Sequence, residues 1–238
     1  HFYRAGKELQ DITVFRKFAK VQELWLQRRM LGGIFEGGNN LDFSEKDTLH
    51  IITELPERLL NTSRPSCYGP YRYVRYFGPK NGFCNIADMY VYDVDGKFLT
   101  GKPIGVPGSY SGDNKYDYWS ALDGDNTTSF DSRMGYGAWV GFDFGEPRKI
   151  GKIIYTPRNR DNHVRPGDEY ELFYCDVNWK SAGRVVASSD SILYRGVPSG
   201  VLYILNNLTR GNQIRVFSYD EGVQEWLRPK QNKYDNIN

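Results

Sequence analysis

Histidine, cysteine and methionine are scarce in this chain of 238 residues, with three of each. The histidines, His1, His50 and His163, lie in separate segments, which leaves little material for a Ser–His or Cys–His catalytic pair. No G-x-S-x-G elbow, H-E-x-x-H pair or phosphate loop occurs. The acidic pairs Asp123/Asp125 and Asp161/Asp168 sit in turn-like stretches, where exposed carboxylates are ordinary. The expectation is a protein that is not an enzyme. Cys67, Cys84 and Cys175 are odd in number and lack metal-ligand spacing, so free thiols are expected rather than a disulfide framework. Long apolar runs are absent too. Val201 to Leu205 is typical of the longest, strand-sized and too short to cross a bilayer. Charge of one sign is also missing: 31 basic against 29 acidic residues give +2, with no basic block, which argues against a nucleic-acid partner. The chain opens on His1 without a visible signal peptide and reads as a processed product or a piece of something longer.

Aromatics, by contrast, are plentiful at 15%, and 25 Gly and 11 Pro are spread along the chain. Many short strands joined by turns have this composition. Ala138 to Phe144 alternates apolar with small or polar residues, Gly145-Glu-Pro147 reads as a turn, and Lys149 to Tyr155 as the next strand. Glu169 to Tyr174, Ser181 to Ala187, Gly200 to Leu205 and Gln213 to Tyr219 supply further strands. Earlier in the chain, Gly33 to Glu36, Thr48 to Ile52, Tyr71 to Tyr76 and Met89 to Tyr92 form a second set. Val14, Phe18, Val21 and Trp25 recur at helical spacing, which predicts a helix near residues 14–30. Gly33 to Asn40 with Thr48 to Ile51 matches Glu171 to Asn178 with Gly183 to Val186, a short internal repeat of strand, polar turn and strand. The expected architecture is all-β, as two tandem β-sandwich domains. Residues 1–95 form a truncated or divergent first domain, residues 96–226 a second, and residues 227–238 a polar tail.

Three pieces of the second half resemble the galactose-binding-like (discoidin or coagulation-factor type C) jelly-roll family. Ser120-Ala-Leu-Asp-Gly-Asp-Asn-Thr-Thr-Ser-Phe130 is similar to its A-x-D-G-D-x-x-T-x-W loop. Ala138 to Gly145 is similar to its W-hydrophobic-x-x-D-L-G strand, and Ile150 to Arg158 to the strand that follows, ending in Tyr-x-Pro-Arg. In the first half, Tyr73-Val-Arg-Tyr76 and Asn85 to Tyr92 look like the family's closing R-Y-V-R and N-I-A-E-I strands. Tandem modules of this kind resemble those at the C-terminal ends of large surface or secreted proteins of gut bacteria. The resemblance implies an extracellular, periplasmic or cell-surface location.

The family's D-G-D loop often encloses a structural Ca²⁺. Carried onto this chain, the ligands are the Asp123 carboxylate, the Thr128 hydroxyl and the carbonyls of Ser120 and Asp125. Oxygen ligands from one tight loop suit a hard cation. The family's closing Glu beside Ala has no match in the last strand. Ala87-Asp88 falls in the other expected domain, which leaves Glu221 or Glu225 as substitutes. The alternative is a metal-free turn in which Asp123 caps backbone N–H groups.

A sugar needs an aromatic face for its C–H patch and fixed donors or acceptors for its hydroxyls. The loops offer Arg160, Asn162, His163 and Arg165 as polar partners and Tyr110 or Tyr116 as platform. A solvated turn with arginines packed on tyrosine faces is the competing reading. The expected function is a carbohydrate-binding accessory module whose partners are a glycan or polysaccharide and an upstream domain of the same polypeptide. A structural spacer or docking module is the alternative, with Trp25 and Gln27-Arg-Arg29 as its contact. The loops carry Tyr, Asp and Asn rather than a Leu, Phe and Trp cluster, so membrane insertion is not expected.

Overall fold

The computed structural model describes residues 8–18, 24–211 and 215–227. The chain divides into two compact units, a terminal one (residues 1–20 with 162–238) and an inserted one (21–161). It opens in the terminal unit with β1 (Leu9–Val14). The inserted unit then contributes helix α1 (Leu24–Arg28), β2 (Ile34–Gly38), β3 (Lys46–Ile51), β4 (Asn61–Ser63) and β5 (Tyr71–Phe77). It continues with β6 (Asp88–Asp93), β7 (Lys102–Gly105), β8 (Trp139–Arg148) and β9 (Ile150–Thr156). Back in the terminal unit come β10 (Glu169–Asp176), β11 (Asn178–Val186) and β12 (Ile192–Pro198). The last strands are β13 (Leu202–Asn207), β14 (Val216–Asp220) and β15 (Val223–Trp226). The fold is all-β with several antiparallel sheets.

The inserted unit holds a five-stranded sheet in the order β3-β2-β5-β8-β7 and a three-stranded sheet in the order β4-β9-β6. Its core is filled from both, with Phe35, Val74 and Val140 from the first and Met89, Val91 and Ile153 from the second. β5 is the central strand of the larger sheet. Val74 and Tyr76 enter the core, while Tyr73 and Arg75, on the other parity, meet Phe43, which lies on the opposite face. The terminal unit pairs β1 with β12 and orders a five-stranded sheet β11-β10-β13-β14-β15. Its core includes Ile12, Val14, Tyr170, Leu172, Tyr203 and Phe217.

The domain boundary expected at residue 95 is overturned. β5, placed in a first module, pairs with β8 of the supposed second, and β6 likewise pairs with β9. The R-Y-V-R, N-I-A-D, D-G-D and W-V-G-F-D-F-G segments all belong to the inserted unit. Grouping by proximity in sequence failed because antiparallel ladders join segments from distant parts of the chain. The short repeat is a hairpin in each unit, β2 with β3 and β10 with β11.

Local expectations are corrected in two places. Among the described residues the helix near 14–30 is reduced to Leu24–Arg28, and residues 19–23 lie outside them. Val14 ends β1, where Ile12 and Val14 are buried and Asp11 and Thr13 exposed, a period of two. Gly145 to Pro147 does not end a strand. β8 runs through to Arg148 across an irregular stretch, with Asp143 opposite Tyr73 and Arg148 opposite Tyr71. The three cysteines are free, Cys84 buried and Cys67 and Cys175 partly exposed. Two expectations fall partly or wholly outside the described residues, the start of the Gln213 strand and the tail from residue 228.

Candidate functional site

Three segments of the inserted unit lie side by side: residues 85–88 leading into β6, the loop 120–131, and residues 156–159 ending β9. Ala87 N donates to Thr156 O at 2.8 Å, and Phe130 N to Ile86 O at 2.9 Å. The Thr156 hydroxyl donates to Asn126 Oδ1 at 3.1 Å, and Asn159 Nδ2 to Asn126 O at 3.0 Å. The D-G-D loop is thereby fixed to the end of β9.

Within that loop the four expected cation ligands converge. Thr128 Oγ1 lies 2.9 Å from Ser120 O, 2.8 Å from Asp125 O, and 3.0 and 2.9 Å from the two Asp123 carboxylate oxygens. A hydroxyl has one proton to give, so it cannot satisfy four acceptors at once. The geometry follows from the turn. Gly124 takes φ +80°, which an L side chain rarely adopts, and Asp123 Oδ1 accepts from Asp125 N at 2.8 Å. The Asp125 carboxylate accepts from the N–H and hydroxyl of Thr127, leaving its carbonyl to face Thr128.

Asp88 stands behind this set in the same unit, which removes the need for Glu221 or Glu225, both in the terminal unit. Its side chain is buried, with Oδ1 accepting from Met89 N and Oδ2 from the Tyr90 hydroxyl. Burial pushes the Asp88 carboxyl up to about 7, and the charges of Asp123 and Asp125 push the same way, against those hydrogen bonds. Crowded oxygens and a carboxylate held near neutrality fit a hard cation, which would supply the missing positive charge. No group of three His, Cys, Asp or Glu side chains suited to a metal occurs among the described residues. Two backbone carbonyls and a hydroxyl join the Asp123 carboxylate in this set instead.

Beyond Asp88 and Asp123 the same segments build a second cluster. Arg158, at the end of the Tyr-x-Pro-Arg strand, donates through Nη1 to Asp131 Oδ2 at 2.6 Å. Asn85 Nδ2 donates to Asp131 Oδ1 at 2.6 Å, and Asn85 Oδ1 accepts from Arg29 Nη1 at 3.0 Å. Aromatic rings flank both arginines. The Arg29 guanidinium carbon sits 4.6 Å from the Trp25 ring centre and 5.2 Å from Phe83, and that of Arg158 sits 5.6 Å from Tyr116. Tyr110 packs edge-on against Phe83 at 5.7 Å with 69% of its own surface exposed. Its backbone is held by Asp131 O, and that of Asp131 by Tyr116 O.

The expected sugar residues are therefore divided. Tyr110, Tyr116 and the exposed Arg160 lie in the inserted unit, whereas Asn162, His163 and Arg165 lie in the terminal one. The latter three are 0%, 1% and 6% exposed, so the competing reading of a solvated turn does not describe them. Their backbone is drawn inward by the stretch after β1. Lys17 N donates to Asn162 O, Arg16 bridges His163, and Val164 N donates to Phe15 O. Arg29, Asn85, Asp131 and Arg158 were not anticipated as site residues. Arg158 carried a signal in the Tyr-x-Pro-Arg match, and Arg29 and Trp25 in the aromatic and basic run read as a docking contact.

A separate open cleft of about 550 Å³ lies at the β2–β3 turn, lined by Asn39, Asn40, Lys46, Asp47 and Tyr71 among others. The Tyr71 hydroxyl donates to Asp47 Oδ2 at 2.7 Å, and Asn39 bridges Pro70 O and Arg72 N, so these polar groups are engaged with one another. Comparison with protein-family models, curated proteins and solved structures finds no match to the chain.

Proposed function

We propose that the chain is a non-catalytic carbohydrate-binding accessory module of a larger secreted or cell-surface protein. On this reading the inserted unit is a β-sandwich of the galactose-binding-like, jelly-roll kind, and its glycan site is the cluster around Arg29 and Arg158. One observation carries it: guanidinium, amide and carboxylate groups are fixed between partly exposed aromatic rings. Sugar recognition draws on that combination, flat apolar faces for C–H patches beside held polar groups for hydroxyls. Tyr110 is the exposed platform, and Asn85 and Asp131 orient the two arginines.

Binding is measured by a glycan array followed by calorimetry on the best hit. Arg158→Gln is expected to weaken that hit roughly tenfold or more, the worth of one charge-assisted hydrogen bond. Tyr110→Ala is expected to weaken it by removing the ring face. An array spanning host and plant polysaccharides that shows no binding would sink the proposal.

Ca²⁺ at the D-G-D loop is part of the same reading, with Asp123, Thr128, Ser120 and Asp125 as the holding groups. Its chemistry there is structural: neutralising carboxylates and fixing the loop. At a free concentration of about 100 times Kd, Ca²⁺ is expected to stabilise the unit by roughly 2.7 kcal/mol, read as a higher Tm. EDTA should reverse the shift, and Asp123→Ala should abolish the response. An identical Tm in Ca²⁺ and EDTA would favour the metal-free turn.

A further inference from the structure

Resting on the carbohydrate-binding reading, we propose that the site selects acidic sugar residues, whose carboxylate or sulfate is held by Arg29 and Arg158. The charge balance of the cluster points to an anion. Two guanidiniums meet one carboxylate, Asp131, and the acceptor that bridges them, Asn85, is neutral. The neighbouring Lys115 ammonium, 4.9 Å from the Tyr116 ring centre, is balanced by Asp113 at 3.2 Å and leaves the excess unchanged.

The donors that remain also suit an anion. Arg29 and Arg158 each turn Nη1 inward, to Asn85 and Asp131, at 3.0 and 2.6 Å. The Nε and Nη2 groups of both have no protein acceptor among the described residues, and none of these four nitrogens is sealed from solvent. The Nε–Nη2 edge of a guanidinium presents two parallel N–H bonds, the fork that matches a carboxylate or sulfate in bidentate fashion. A neutral hydroxyl uses one of them at a time. The rings of Trp25, Phe83 and Tyr116 prevent the two arginines from folding away, because each guanidinium rests on an aromatic face. With Nη1 engaged by fixed acceptors and the planes seated on rings, much of the ordering cost of binding is met before ligand arrives. An inorganic anion would use the forks and leave the Tyr110 ring idle. A pyranose carrying its charge on the ring uses both.

The test is calorimetry on the full chain with three oligosaccharides of equal length: an oligogalacturonate, a sulfated galacto-oligosaccharide and the neutral galacto-oligosaccharide. The better acidic ligand is expected to bind about tenfold tighter than the neutral one, an advantage that shrinks as salt screens the charges. Which acidic ligand leads decides between carboxylate and sulfate. Arg29→Gln is expected to weaken acidic binding several-fold more than neutral binding, which removes most of the acidic advantage. Arg29→Lys, which keeps charge but lacks the fork, tests the same point if the glutamine variant melts early. Equal affinity for acidic and neutral ligands overturns this inference and leaves the carbohydrate reading standing. No binding of any of the three, together with a blank glycan array, overturns both.

Discussion

Glu36→Ala is expected to cost the inserted unit about 3–5 kcal/mol, because it strands a guanidinium inside the protein. Glu36 on β2 and Arg75 on β5 are cross-strand neighbours, joined from Arg75 Nε to Glu36 Oε2 at 2.7 Å. They are 4% and 7% exposed, and the Arg75 guanidinium lies 3.9 Å from the Phe43 ring centre and 5.3 Å from Trp139. Removing the acid leaves the cation covered by aromatic rings with no counter-charge beside it. Lys46, 3.8 Å from Glu36 Oε1, is itself a cation and cannot substitute. Replacing both residues by apolar groups of similar volume should recover much of the loss, since a buried pair repays little more than its own desolvation. Urea unfolding of the two single variants and the double variant measures this as a cycle. A Glu36→Ala loss below about 1 kcal/mol would mean that the pair is solvated like a surface bridge.

Gly141→Ala is also expected to be strongly damaging, for a different reason. Gly141 lies within β8, between Arg75 on β5 and Ile104 on β7. A Cβ built there would fall 2.1 Å from Val74 O and 2.7 Å from Arg75 Cα. The obstruction is backbone in the neighbouring strand, which cannot rotate aside as a side chain can. The usual penalty for overfilling a packed site, about 1–3 kcal/mol, is therefore a lower bound here. Gly96→Ala makes a useful control: φ is +81° there, but nothing lies within 4 Å of the added atom. Backbone strain without a clash should lower Tm less. If thermal unfolding places Gly141→Ala level with Gly96→Ala, the close approach of β5 and β8 is wrong.

The sequence carried the strands better than their partners. Tyr71 to Tyr76, Met89 to Tyr92 and Ile150 to Tyr155 were readable because alternation and aromatic or β-branched content are local properties. β7 was not, since Lys102-Pro-Ile-Gly105 has a proline and no buried residue, as an edge strand can. β1 was hidden by a helical spacing that extends past it, from Val14 to Trp25. The D-G-D loop was legible as a ligand set because its groups lie within nine residues of one turn. Asp88 was assigned elsewhere because its proximity depends on β6 pairing with β9. The same holds for Arg29 and Arg158, which meet at Asn85 and Asp131 only after three loops close. The burial of His163 and Arg165 was hidden for the converse reason. Polar residues in a turn-like stretch suggest solvent exposure, yet here that stretch runs alongside residues 15–17.

The placement of β1 sets an order of events during synthesis. Everything the inserted unit needs for its sheets emerges as one continuous stretch, so it can complete its core while later residues are still being made. β1 has left the ribosome by then, but its partner β12, with Ile12 opposite Tyr194 and Val14 opposite Ile192, comes later. Two buried aliphatic side chains near the start of the chain must stay unpaired until that strand appears. Proteolytic loss of β1 would accordingly harm the terminal unit and spare the inserted one.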